Sequence, residues 1–201
     1  IHDLAWAAGD AQAKGFLIGA TSGRTTLNGE GLQHQDGHSH ILSSTIPNCK
    51  SYDPAYGYEL AVIIEHGLKE MYKDKKNYFY YLTVTNERYV QPPKPKGKDV
   101  DSNIIKGMHR ISETKKPQIR LLGSGAILNE SSKAADILSR FNIESEVWSV
   151  TSFNMLRKDG MEVENENIKN PSNKAKESFV AESFKEHDIP TVASTDYMRA
   201  Y

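Results

Sequence analysis

The stretch IRLLGSGAIL, residues 119–128, decides the fold. An apolar run enters Gly-Ser-Gly, and Asn129 is placed to cap a helix whose Ala134, Ile137, Leu138 and Phe141 share one face. Downstream, ESEVWSVTSF (144–153) reads as a strand, SFVAESFKEH (178–187) as a short helix and TVAST (191–195) as a third strand. Residues 157–175, rich in Asn, Glu and Lys, read as polar irregular chain. Strand–helix–strand–helix–strand at this spacing predicts a parallel sheet covered by helices.

Upstream, the same alternation recurs. Leu4, Ala7, Ala8 and Ala11 fall in helical register, and GFLIGAT (15–21) reads as a buried strand. Residues 22–47 are glycine-dotted and read as loop, and NCKSY (48–52) as a short strand. Asp53-Pro54 reads as a helix start, Asp at the N-cap and Pro at N1. That helix is expected to run to about residue 73, with Ala61, Ile64, Leu68 and Met71 as its apolar stripe. YFYYLTVT (78–85) is aromatic and β-branched, hence a strand. QPPKPKGKDVDSN (91–103) carries three prolines and mixed charge and reads as a linker or surface crossover. The fold class is therefore α/β, two units with largely parallel sheets joined near residues 91–117.

Composition narrows the function classes. Hydrophobic residues make up 38% of the 201 and charged residues 25%, as in ordinary globular proteins. With 25 basic and 26 acidic side chains the formal net charge is −1, so there is no basic footprint for nucleic acid and no polybasic membrane patch. No apolar run reaches the roughly 20 residues that cross a bilayer, and no signal peptide is visible. The one cysteine, Cys49, precludes an internal disulfide, fits a reducing compartment and is read as a buried structural thiol. A cytoplasmic location is expected. The chain starts without Met and already in helical register, so it reads as a piece of something longer.

Several features could carry chemistry. GSGAIL lacks the third glycine of G-x-G-x-x-G and reads as a tight strand-to-helix turn. Tyr78–Tyr81 has no basic interleaving and reads as sheet packing. His66 reads as solvated, and His109 has no evident partner. LQHQDGHSH (32–40) places His34, Asp36, His38 and His40 at alternate positions, one face of a strand if extended. Same-face neighbours on a strand lie roughly 6.5–7 Å apart, whereas zinc ligands must close to about 2 Å each. Two of the four could share an ion; all four could not without a bend, which Gly37 permits. Metal, catalysis and a structural polar loop stay open here, the last leading. Imidazole suits catalysis because it exchanges protons near neutral pH.

The runs AWAAGDAQAKGFLIGATSGRTTLNGEGLQHQDGHSH (5–40), IPNCKSYDPAYGYELAVI (46–63) and TVTNERY (83–89) resemble the bacterial homodimeric pyruvate dehydrogenases, the thiamine-diphosphate-dependent decarboxylating component of the complex. LLGSGAIL (121–128), EVWSVTSF (146–153) and VASTDYM (192–198) are similar to it too, while 157–188 is the weakest stretch. The resemblance implies a transketolase-like chain in three parts: residues 1–92 as the C-terminal part of the pyrimidine-binding domain, 93–116 as linker or crossover, and 117–201 as the start of the C-terminal domain. It implies a homodimer that decarboxylates pyruvate oxidatively and passes the acetyl group to a lipoyl group of a dihydrolipoyl acetyltransferase partner, feeding acetyl-CoA formation. The cofactors it implies are thiamine diphosphate and Mg²⁺. The family's magnesium-binding GDG…N motif is absent from these 201 residues, so both would be bound mainly elsewhere in the parent, with no cofactor-binding residue and no metal ligand assigned here. The chain alone is accordingly expected to be inactive.

Within the family pattern E-x-x-x-H, here Glu30 to His34, the resemblance singles out His34 as the catalytic residue. Its imidazole would supply a proton or hydrogen bond where charge develops on the substrate oxygen, or contact the substrate carboxylate. Glu30 stands second, and Asp36, His38 and His40 are expected to shape the loop. The alternatives are a decarboxylase for a different 2-oxo acid, or a non-catalytic α/β fragment that serves assembly.

Overall fold

The computed structural model describes all residues except 1, 21, 28, 32, 33 and 113. Its first unit opens with α1 (His2–Asp10) and β1 (Phe16–Ala20), followed by a short 3₁₀ turn (Thr25–Leu27) and α2 (Ser39–Ser44). β2 (Cys49–Tyr52), α3 (Gly57–Leu68) with a widened turn at Lys69–Lys73, and β3 (Phe79–Val84) complete it. The three strands lie in the order β1-β3-β2, all parallel. Tyr52, Ile63, Met71, Tyr80 and Leu82 pack beneath α3, together with Ile104 of the next segment.

The second unit runs α4 (Val100–Lys106), β4 (Met108–Ser112), β5 (Ile119–Gly123), α5 (Ile127–Ser139), β6 (Ser145–Val150), α6 (Phe153–Lys169), α7 (Phe179–Phe184) and β7 (Thr191–Ser194). Its sheet has the order β4-β6-β5-β7, parallel apart from β4, which runs antiparallel at one edge. Leu121, Leu128 and Val147 pack with α5 on one face, where Ala55 and Tyr56 of the first unit join them. Met108, Leu122, Trp148, Val150 and Leu156 pack with α6 and α7 on the other. The α/β reading, two units with largely parallel sheets, holds.

Several local expectations change. β1 is a strand, but an edge strand: it bonds only to β3, so Leu17 and Ile18 stay 43% and 51% exposed among the described residues. The loop read over 22–47 contains α2. Asp53 does not cap α3, because its carboxyl group is engaged with Thr83; the helix starts at Gly57 instead. The buried face of α3 is Glu59, Ile63 and Gly67, continuing to Glu70 and Met71, and Leu68 is 47% exposed. The widened turn brings Glu70 inward, where Lys50 (2.5 Å), Lys76 (2.9 Å) and the Tyr80 hydroxyl satisfy it. The linker read over 91–103 runs into α4 at Val100.

α5 begins at Ile127 rather than behind Asn129, since Gly125 takes φ +50 and turns the chain early. The face that meets the sheet therefore carries Leu128, Ser131 and Leu138, and leaves Ile137 and Phe141 exposed. Residues 153–169, mostly read as irregular, form α6. Only Leu156 of it is buried, so there is little apolar periodicity to read; its start is fixed by Ser152, whose hydroxyl accepts from Met155 N (3.0 Å).

The units are joined by a buried polar seam. Glu59, fully buried at the start of α3, receives backbone N–H bonds from Ala55 (2.7 Å) and Tyr56 (3.0 Å) at one oxygen. Its other oxygen receives the Ser149 hydroxyl (2.6 Å) from β6 and His109 Nε2 (2.7 Å) from β4. His109, read as partnerless, is thus one side of the seam. Removing the acceptor orphans four buried donors. Glu59→Ala should therefore lower folding stability by about 3–5 kcal/mol in denaturant titration, within the range for breaking a buried pair, and Glu59→Gln by less. A loss under about 1 kcal/mol for Glu59→Ala would contradict this account.

Candidate functional site

The carboxyl ends of the strands face one another across the seam. Ser22 follows β1, Asp53 follows β2, Thr85 follows β3, Ser124 follows β5 and Asp196 follows β7; with Gly23, Ala126 and Tyr197 they line a small crevice. In open parallel α/β sheets this end of the strands is where ligands are bound. Backbone bonds draw the units together: Asp53 N to Thr151 O (2.7 Å) and Gly125 N to Asp53 O (3.1 Å). At Gly125 a side chain is excluded twice over, by the positive φ and because a Cβ would lie 2.6 Å from an Asp53 carboxyl oxygen. The Gly-Ser-Gly turn is therefore a docking turn for the first unit.

Asp53 is a fully enclosed carboxyl group. Burial pushes its pKa up to about 6, helped by the nearby Asp196 and Glu59 charges and opposed by hydrogen bonds from Thr83 and Ser124. Thr83 Oγ1 donates to Asp53 Oδ1 (2.7 Å) and lies 2.9 Å from His40 Nε2. Since the threonine hydroxyl has one proton, His40 is the donor in the second bond when Asp53 is ionised.

The histidine-rich motif does not form a strand face. Residues 32 and 33 lie outside the described residues; from His34 onward the chain makes a turn and then enters α2. His34 lies on the turn with its side chain 60% exposed, and its Nδ1 is 3.7 Å from Glu30 Oε2, itself 56% exposed. Asp36 folds back to cap α2: one oxygen accepts from His38 N and Ser39 N (both 3.0 Å), the other from the Ser39 hydroxyl. His38 is the exposed N-cap residue. His40 is fully buried, stacked on Tyr201 at 4.7 Å and met edge-on by Tyr197 at 4.6 Å. Burial lowers its pKa to about 3 against the smaller pull of Asp36, so it stays neutral. Among the described residues no three His, Cys, Asp or Glu side chains converge as a metal-ligand set.

The groups that build this region were largely unread in the sequence. In the sequence Asp53 reads as a helix cap, and neither Asp196 nor Glu59 sits in a motif that marks it. The signal for Glu59 was its charge at a position that α3 turns inward; Asp196 follows a strand end, where polar residues meet ligands or loops. Cys49 is partly buried, and burial pushes its thiol up to about 12, in keeping with a structural role. His66 is less solvated than expected, one-third exposed and 3.5 Å from Glu70. No helix among the described residues is long and apolar enough to cross a membrane.

Residues 1–92 match the family model for the pyruvate dehydrogenase E1 component middle domain. Residues 107–201 match the transketolase-like TK C-terminal domain. The pyruvate dehydrogenase E1 component of Pseudomonas aeruginosa is 57% identical over 205 residues, covering 100% of this chain and 23% of that protein. The Escherichia coli K12 protein of the same name is 52% identical with the same coverage. A solved transketolase from Leishmania mexicana superposes with a TM-score of 0.65 at 13% identity, over 89% of this chain and 22% of that one, which speaks for the fold alone. The chain thus spans about a quarter of the length of the curated relatives it matches.

The Asp53 environment yields a pH test. An acid whose pKa is raised on folding holds its proton more tightly when folded, so its stabilising contribution is full below the unfolded value of 3.8 and is lost as pH rises through about 6. Asp53→Asn keeps an acceptor for Thr83 and does not ionise. Between about pH 4 and pH 7 its stability should improve relative to the unsubstituted protein by about 2 kcal/mol, most of the full effect at 1.36 kcal/mol per unit, measured by urea titration across pH. A stability difference that does not change with pH would refute the raised carboxyl.

Proposed function

The chain belongs to the pyruvate dehydrogenase E1 family, and on that premise we propose that it forms part of a thiamine-diphosphate-dependent enzyme that oxidatively decarboxylates pyruvate. In this reading residues 1–92 close the pyrimidine-binding domain, 93–116 cross over, and 117–201 open the C-terminal domain. The parent is a homodimer that also uses Mg²⁺ and delivers its acetyl group to a lipoyl group on an acetyltransferase partner. The observation that carries the reading is His34, an exposed imidazole beside the Glu30 carboxyl group, on a loop at the carboxyl ends of the strands.

The residues present suit the reacting end of the cofactor rather than its diphosphate. His34 and Glu30 offer acid–base groups to a ligand, while no convergent carboxylate set for a metal occurs among the described residues. When bound, thiamine diphosphate would supply the nucleophilic carbon and the electron sink. This chain's part is proton handling and orientation. His34 would donate a hydrogen bond or a proton to the pyruvate carbonyl oxygen as negative charge develops there. The same imidazole can contact the substrate carboxylate before CO₂ departs. Glu30, 3.7 Å from His34 Nδ1, would orient the ring. His40 is excluded from this task, since it is enclosed by aromatic rings and held neutral.

In the full-length enzyme, His34→Ala should slow pyruvate turnover by about 10²-fold or more, the usual effect of removing a positioned acid–base group. Turnover within a factor of about two of the unsubstituted enzyme would remove His34 from the mechanism.

A further inference from the structure

The loop that carries His34 is held at its neck by the second unit. Asp196, just beyond β7, accepts the backbone N–H groups of Arg24 and Thr25 at one oxygen (both 2.9 Å) and the Thr25 hydroxyl at the other (2.5 Å). It thus caps the 3₁₀ turn Thr25–Leu27 from across the seam. Gly23 makes the approach possible: it takes φ +87, and a Cβ there would sit 2.7 Å from Asp196 Oδ2. The neck is closed by Asp36 N on Gly23 O (3.3 Å), and the far side of the loop is held by Met198 N on Gly37 O (3.1 Å). Tyr197 and Tyr201 of the same tail grip His40 where the loop enters α2. Inside the loop, Leu27 is buried, Glu30 N bonds Leu27 O (3.0 Å) and His34 N bonds Gly31 O (2.9 Å).

We propose that Asp196 is a positioning residue for His34, so that the C-terminal unit sets the placement of the acid–base group carried by the first. This rests on the reading of His34 as that group. Three hydrogen bonds converge on one carboxyl group from consecutive residues, and such bonds to an ionised acceptor are roughly twice as strong as neutral ones. Asp196 is only half-buried and belongs to no core cluster, so its loss frees the loop without opening the core. A displacement of about 1 Å in a catalytic group can cost up to 10²-fold in rate. Asp196 touches no reacting atom and acts through the loop alone.

A double-mutant cycle in the full-length, cofactor-loaded enzyme tests this. Asp196→Ala should lower kcat for pyruvate about 10-fold or more with the thermal midpoint little changed, and Asp196→Asn, which retains an acceptor oxygen, should recover much of it. In the His34→Ala background the same Asp196→Ala change should cost less than about 2-fold, because the group it positions is gone. Thr25→Val removes one of the three bonds and should show a smaller loss with the same dependence on His34; it carries the cycle if Asp196→Ala does not fold. An equal loss in both backgrounds, or unchanged kcat in Asp196→Ala, would overturn the positioning role alone. Unchanged kcat in His34→Ala would sink the catalytic reading and this inference with it.

Discussion

Everything in this chain turns on a carboxyl group taken out of water. Glu59 is fully buried at the start of α3, and its two oxygens receive four hydrogen bonds, two from its own helix entry and two from strands of the other unit. Burying such a group costs several kcal/mol unless every lone pair finds a donor. Those donors are satisfied only when β4 and β6 lie against α3 at one spacing and one rotation. The apolar contacts of Tyr56 and Ala55 with Leu121 and Leu128 give the seam adhesion without direction. The polar bonds of Glu59 supply the direction.

That fixed seam places the carboxyl ends of two parallel sheets opposite one another, with Asp53, Ser124 and Asp196 between them. It also gives the four polar side chains of the histidine-rich motif different fates. His40 is drawn under the tyrosines of the tail and loses its capacity to charge; Asp36 is spent on capping α2. His38 caps without a side-chain bond, and His34 alone stands out beside a carboxyl group. Burial, rather than residue type, separates the enclosed imidazole of His40 from the exposed one of His34.

Strands were the most legible part of the sequence because their residues are apolar or aromatic in short bounded runs: YFYYLTVT became β3 and ESEVWSVTSF became β6. Helix phases were less so. The stripes assigned to α3 and α5 were rotated because each helix starts at a point set by long-range contact, Asp53 with Thr83 in one case and the Gly125 turn in the other. α6 is hard to read in the sequence because Leu156 is its one buried residue and Asn154 and Asp159 hold it through polar bonds, which leave no apolar stripe. The candidate site was half legible. His34 lies in a motif whose resemblance to a known family singles it out, but the residues that hold its loop, Asp196 above all, lie more than 150 positions away and share no local signal with it.

The most direct measurement compares three histidine substitutions, His34→Gln, His38→Gln and His40→Gln, in the full-length enzyme, recording kcat for pyruvate and the thermal midpoint of each. The account predicts that His34→Gln loses kcat at an unchanged midpoint. His40→Gln should lower the midpoint, and His38→Gln should leave both near the starting values. A loss of kcat in His38→Gln equal to that in His34→Gln, or none in His34→Gln, would contradict it.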